Sequence, residues 1–142
     1  MANNYCQFSE FLELPRGFEK RAQAILEELQ ELADEEDIEE LPFGFNINWE
    51  VDRSGVWFYT EESGDPETLV YAVQRLMKAF DIKKPFIASW AFTCSKPRLE
   101  EFGGGAVAVW QDHVEWIDAR SEIQKRVERR EKRKKAKQRK GA

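Results

Sequence analysis

The sequence predicts an α+β fold, with two helices on a mainly antiparallel sheet in a ferredoxin-like βαββαβ plan. A C-terminal β-hairpin and a basic C-terminal helix are added to that plan. Three observations point there. Two segments carry apolar residues at helical spacing, five or six carry them in alternation, and the two kinds follow one another as β-α-β-β-α-β-β. The chain has 142 residues, which is room for one core. Its 42% hydrophobic and 35% charged residues describe a folded chain with a highly charged surface.

The first strand is expected over Tyr5–Leu14, with Phe8, Leu12 and Leu14 on one face and a bulge at Phe11, where the alternation breaks. Pro15 and Gly17 end it. Phe18, Ala22, Ile25, Leu26, Leu29, Leu32 and Ala33 then form one helical stripe that must bury against something. The helix runs out in Asp34-Glu35-Glu36-Asp37, where like charges repel and the dipole disfavours carboxylates.

Phe45, Ile47, Trp49 and Val51 alternate with Asn46, Asn48, Glu50 and Asp52, a strand with one wet face. Asp52-Arg53-Ser54-Gly55 turns it into a second strand, Val56–Thr60. A second helix begins at Asp65-Pro66-Glu67, with a cap, a first-turn proline and a dipole-favoured acid. Its stripe is Leu69, Ala72, Val73, Leu76, Met77 and Phe80. Phe86–Cys94 is the next strand, and a loop over Ser95–Gly105 leads to a strand at Ala106–Trp110. Gln111-Asp112 returns the chain as Val114–Ile117. The rest is a polar helix in which Ile123 and Val127 alone could touch a core.

Charge divides the chain. From Arg120 to Ala142 there are 12 Lys/Arg against 3 Asp/Glu, a net +9, which leaves −14 on the other residues of a chain whose total is −5. The division sets an acidic domain, 1–119, against a basic helical tail, 120–142, expected to be partly disordered. Such asymmetry bears on partners rather than on fold. No apolar run reaches a membrane span, and the polar start is unlike a secretion signal. Two cysteines make no disulfide framework, so the expected place is a reducing cytoplasm.

Several places could carry function. Lys96 and Arg98 precede Gly103, Gly104 and Gly105, and cations beside exposed amides can hold an anion. The glycines run into a strand, however, whereas phosphate loops open a helix. The plainer reading is a hairpin connection whose glycines take positive φ or admit close approach. Cys94 beside Lys96 is a candidate thiolate, and with Arg98 it is the main support for an enzyme, which the sequence leans against. No metal site is expected, since Cys6, Cys94 and His113 would have to converge. No cofactor motif occurs. The sheet does not suit RNA, because Glu50, Asp52 and Glu61 share a face with Trp57 and Tyr59 and repel phosphate.

The tail suits a phosphate backbone better, with Lys125, Arg126, Arg129, Arg130, Arg133 and Lys134 among the eleven cations of Lys125–Lys140. It could equally serve as a solubilising helix or fold back on the acidic body. The stretch Glu27–Leu41 holds nine Asp/Glu and no Lys/Arg. On a helix and its exit it would present a row of carboxylates resembling a phosphate backbone, with Glu35, Glu36 and Glu39 in it. Glu62 and Asp65 are assigned to the same acidic surface, although they read more simply as loop solvation and a helix cap.

The run Cys94-Ser95-Lys96-Pro97-Arg98-Leu99-Glu100-Glu101-Phe102-Gly103-Gly104-Gly105-Ala106 resembles a signature of an uncharacterised family of small proteins from bacteriophages, plasmids and other bacterial mobile elements. Asn4-Tyr5-Cys6-Gln7-Phe8-Ser9, Glu62-Ser63-Gly64-Asp65 and Trp116 fit the same resemblance, which spans roughly Asn4 to Ile117. It implies a mobile-element origin in a bacterial host cell and brings no activity. The basic tail departs from the shorter, mixed helix it implies. The expectation is therefore a non-enzymatic accessory protein that binds a host protein or protein complex, of defence or nucleic-acid processing. Docking would use the acidic surface and the Cys94, Ser95, Lys96, Arg98, Glu101, Gly103–Gly105 loop. The alternative is DNA or RNA binding by the tail.

Overall fold

Alternation along the first strand, β1 (Asn4–Glu13), turns Cys6, Phe8 and Leu12 to one face, where all three are buried. That face is closed by two helices, α1 (Glu19–Asp34) and α2 (Pro66–Ala79), whose stripes bury Ala22, Leu26 and Leu29, and Leu69, Val73, Leu76 and Met77. These residues form one core with Val56 and Phe58 of β3 (Gly55–Thr60), Phe86 and Ala88 of β4 (Phe86–Cys94), and Val107 and Val109 of β5 (Gly103–Val109). The remaining elements are β2 (Asn48–Asp52), β6 (Val114–Asp118) and α3 (Ala119–Gly141). The structure, a computed structural model, describes residues 3–42 and 44–141. It is α+β, with three helices and one antiparallel sheet in the order β2-β3-β1-β4-β5-β6.

Three elements differ from expectation. β1 pairs residue for residue with β3 from Phe8↔Thr60 to Glu13↔Gly55, so no bulge forms at Phe11; that ring faces away from the core, opposite Trp57. The ordered strand β2 begins at Asn48, not Phe45. Phe45 and Ile47 are buried, but the Asn46 carbonyl accepts from the Asp65 amide (3.2 Å) instead of joining a ladder. β5 begins at Gly103, not Ala106, because Gly103, Gly104 and Gly105 pair with Phe92, Ala91 and Trp90. Space explains the glycine at 105. A Cβ there would meet the Trp90 ring at 2.6 Å and the Ile117 carbonyl at 2.7 Å.

Both core helices end in the same device. After α1, Asp37 N–H donates to the Leu32 carbonyl and Glu36 N–H to Ala33, with Glu36 at φ 59°. After α2, Ile82 N–H donates to Met77 and Asp81 N–H to Lys78, with Asp81 at φ 50°. These paired bonds satisfy carbonyls that a helix end would otherwise leave open. Among the described residues, no helix is long and apolar enough to cross a membrane.

Candidate binding surfaces

One end of the sheet collects most of the residues singled out in the sequence. β1 starts there, with Asn4 paired to Cys94 at the end of β4. β5 starts there (Phe92↔Gly103) and β6 ends there (Gly105↔Asp118). α1 leaves the opposite end of β1 and runs back for 16 residues, about 24 Å, which returns its C-terminus to this end. The turn after it carries Glu35, Glu36 and Glu39, all exposed. The loop after β3 is tied in by Cys6 N–H donating to the Glu62 carbonyl (2.6 Å) and Gly64 N–H to the Cys6 carbonyl (3.1 Å). Glu62 is exposed.

Asp65 has a structural job at this end. Its carboxylate accepts from the Glu67 amide (3.0 Å) and the Thr68 hydroxyl (3.3 Å), capping α2 as its position before Pro66 requires. Cys6 lies beside it, and burial, with the Asp65 charge second, pushes the thiol up to about 11.

The loop from Ser95 to Phe102 is anchored at its root and open at its tip. Ser95 N–H donates to the Asn3 carbonyl (2.8 Å), and the Ser95 hydroxyl accepts from the Asn3 amide (2.7 Å). Arg98 N–H donates to the Lys96 carbonyl, and Glu100 takes φ 66°. Lys96 and Arg98 are exposed and join none of the ion pairs among the described residues. Leu99 is 91% exposed, Phe102 is exposed and Glu101 half-buried. Gly103–Gly105 lie in the ladder, so they are not part of an anion-holding loop. Sequence reasoning missed Leu99. Its signal was an apolar residue between charged ones in a loop with no partner pattern.

The three groups weighed for zinc do not converge. Cys6 and Cys94 sit at this end, whereas His113 lies in the β5–β6 turn at the other. Cys94 is half-buried, and both cysteines are unpaired thiols. Among the described residues, no group of three or more His, Cys, Asp or Glu could hold a metal ion.

α3 also starts at this end. The Asp118 carboxylate accepts from the Ser121 amide (2.9 Å), and that bond holds its pKa below the ordinary carboxylate range. None of the helix's described residues is buried. Arg126, Arg129, Arg130 and Arg133 repeat at spacings of three and four and line one shallow cleft of about 520 Å³ with Glu122. Glu122 meets Arg126 at 3.3 Å and Arg129 at 3.8 Å, so one carboxylate faces four guanidinium groups. Lys134 pairs with Glu131 at 3.5 Å, and Lys125 gives its carbonyl to Arg129.

The sheet face away from α1 and α2 is open except at β5 and β6, where the first turn of α3 borders it. Trp57 stacks on Tyr59 with centroids 4.1 Å apart; the indole donates to the Ser9 hydroxyl and the phenol to Glu50. Desolvation, the Glu50 bond and the charges of Glu50 and Glu61 all raise the Tyr59 pKa. Farther along, Ile87, Ala106, Ala108 and Ile117, with Glu115 and, from the first turn of α3, Glu122, line an open groove of about 580 Å³. The alternation of β4 puts Ile87 on the face opposite the buried Phe86 and Ala88. What made it a groove was the opposing alanines of β5, visible once the register is known. Comparison with protein-family models, curated proteins and solved structures finds no match for this chain.

Proposed function

We propose that this is an accessory protein of a bacteriophage or related mobile element that docks, without catalysing a reaction, on a host macromolecule. A protein complex of bacterial defence or of nucleic-acid processing is the partner class. The observation carrying this reading is the gathering at one sheet end of exposed Glu35, Glu36, Glu39 and Glu62 with the 95–102 loop, whose Leu99 is 91% exposed. An exposed apolar tip flanked in sequence by Lys96, Arg98, Glu100 and Glu101 has the make-up of an interface, with an anchor and a polar rim. The Cys94–Ala106 signature supports the mobile-element origin. The strand order β2-β3-β1-β4 with both core helices on one face supports a ferredoxin-like reading of the first four strands. In that reading β5 and β6 are the added hairpin.

The test is partner capture from nuclease-treated bacterial lysate by the full chain, by a Glu35→Lys/Glu36→Lys/Glu39→Lys variant and by Leu99→Asp. A defined protein complex is captured by the wild type and lost by both variants, while their circular dichroism is unchanged. Capture that survives both substitutions removes this surface from the proposal.

A second reading is favoured by the four-arginine face of α3, which suits the phosphate backbone of DNA or RNA. Fluorescence anisotropy with a labelled duplex tests it. Binding should fall with salt at a log–log slope of roughly −0.9 per phosphate engaged. Changing Arg126, Arg129, Arg130 and Arg133 to Gln should abolish it.

A further inference from the structure

We propose that α3 of one copy lies across the open sheet face of a second copy, giving a two-fold dimer held by two reciprocal helix-on-sheet contacts. The order of chemistry along the helix matches the order across the face. In α3 the apolar residues come first: Ile123 and Val127, one turn apart on one side, are 57% and 53% exposed. Beyond them the helix is almost wholly cationic, from Arg129 to Lys140, with Arg130 and Lys134 continuing the side that Ile123 and Val127 begin.

On the sheet, the groove at the β4–β6 side has an apolar floor of Ile87, Ala106, Ala108 and Ile117, with Glu115 and Glu122 of the same chain also lining it. The acids Glu13, Glu50 and Asp52 face the same way on β1 and β2, with the Trp57–Tyr59 stack between. No strand residue on this face is Lys or Arg. From β5 to β2 is four strand spacings, about 19 Å. Val127 to Lys140 spans about 20 Å of helix. With Ile123 and Val127 in the groove, the arginines and lysines reach the acids, and a guanidinium can lie over the Trp57 or Tyr59 ring.

The chain's own helix reaches this face only with its first turn, which packs against β5 and β6 and puts Glu122 at the rim of the groove. Asp118 ends β6 and Ala119 begins α3, so no linker exists to carry the rest of the helix, Val127–Lys140, across to the acids of β1 and β2. The Asp118 cap on Ser121 fixes that junction. Helix-on-helix pairing of two α3 segments is disfavoured by +9 facing +9. A second copy offers the −14 body as the complementary surface.

Light scattering on the nuclease-treated full chain measures the mass against the 16.7 kDa of one copy. The wild type is expected at twice that mass at about 0.1 M salt, with its dissociation constant rising roughly tenfold or more at about 1 M. Two variants change exposed positions only: Ile123→Glu/Val127→Glu on the helix and Ile87→Lys on the sheet. Each alone should be monomeric with unchanged circular dichroism. An equimolar mixture should recover part of the dimer, because it contains one intact helix and one intact face. A wild type that stays monomeric overturns the proposal. So does a dimer indifferent to both variants, a mixture with no recovery, or association that requires nucleic acid.

Discussion

Cys6 shows how one buried group connects the sheet to the acidic loop. Its amide and carbonyl hold the 62–64 segment, and its thiol lies within the field of Asp65. Burial and that charge move the thiol from 9.0 to about 11. The native state therefore keeps a proton that the unfolded chain gives up near pH 9. Because the unfolded state then binds fewer protons, stability is retained below pH 9 and falls as pH rises toward 11. Urea unfolding of the wild type below pH 9 and near pH 11 should show this loss, and Cys6→Ala should lose less over the same range. Equal losses in the two proteins would show that Cys6 is not the group responsible. Asp65, whose charge alone suggests a docking acid, is better explained by its neighbours. Both its oxygens are occupied by the start of α2.

At the scale of elements, the helix ends carry a residue-specific strain. Glu36 occupies the left-handed position after α1 at φ 59°, where glycine is at ease and a side chain costs roughly 1–2 kcal/mol. Glu36→Gly removes that strain but gives the unfolded chain more freedom, so a net gain of about 0.5–1 kcal/mol is expected in chemical denaturation. Lost stability would mean that the Glu36 side chain makes a contact worth more than the strain. Such endings were hidden in the sequence because the expected signal, glycine, is absent at 36 and 81. Where local chemistry determines an element it was legible. Asp65-Pro66-Glu67 opens α2, and alternation bounds β4 at Phe86 and Cys94. Where the partner determines it, it was not. Phe45 and Ile47 alternate as strand residues do, yet their burial comes from a loop, whereas Gly103–Gly105 lack any strand signal and pair because β4 offers a register. The candidate surfaces follow the same division. Charge and loop position were readable residue by residue, but the groove beside Ile87 exists only through cross-strand neighbours.

For the whole molecule, the contrast between a core and an appendage sets where stability resides. The sheet and two helices share one apolar core, while α3 buries none of its described residues. Arg126/Arg130, Arg129/Arg133 and Arg130/Lys134 are like charges one turn apart, which weakens an isolated helix. A lone helix of this length is marginal in water even with better pairing. In dilute protein at high salt, hydrogen exchange read by mass spectrometry should therefore find α3 amides nearly unprotected. Peptides from β1, β3 and β4 should exchange only with global unfolding. Raising the concentration at low salt should slow exchange over 123–134 and leave the core unchanged, because the helix then gains a surface to bury against. Protection of α3 equal to that of the core at every dilution would place its support within its own chain. The exposed Ile123 and Val127 would then have to be covered by the molecule that bears them, and the charge division would describe a closed monomer instead of a surface held ready for a partner.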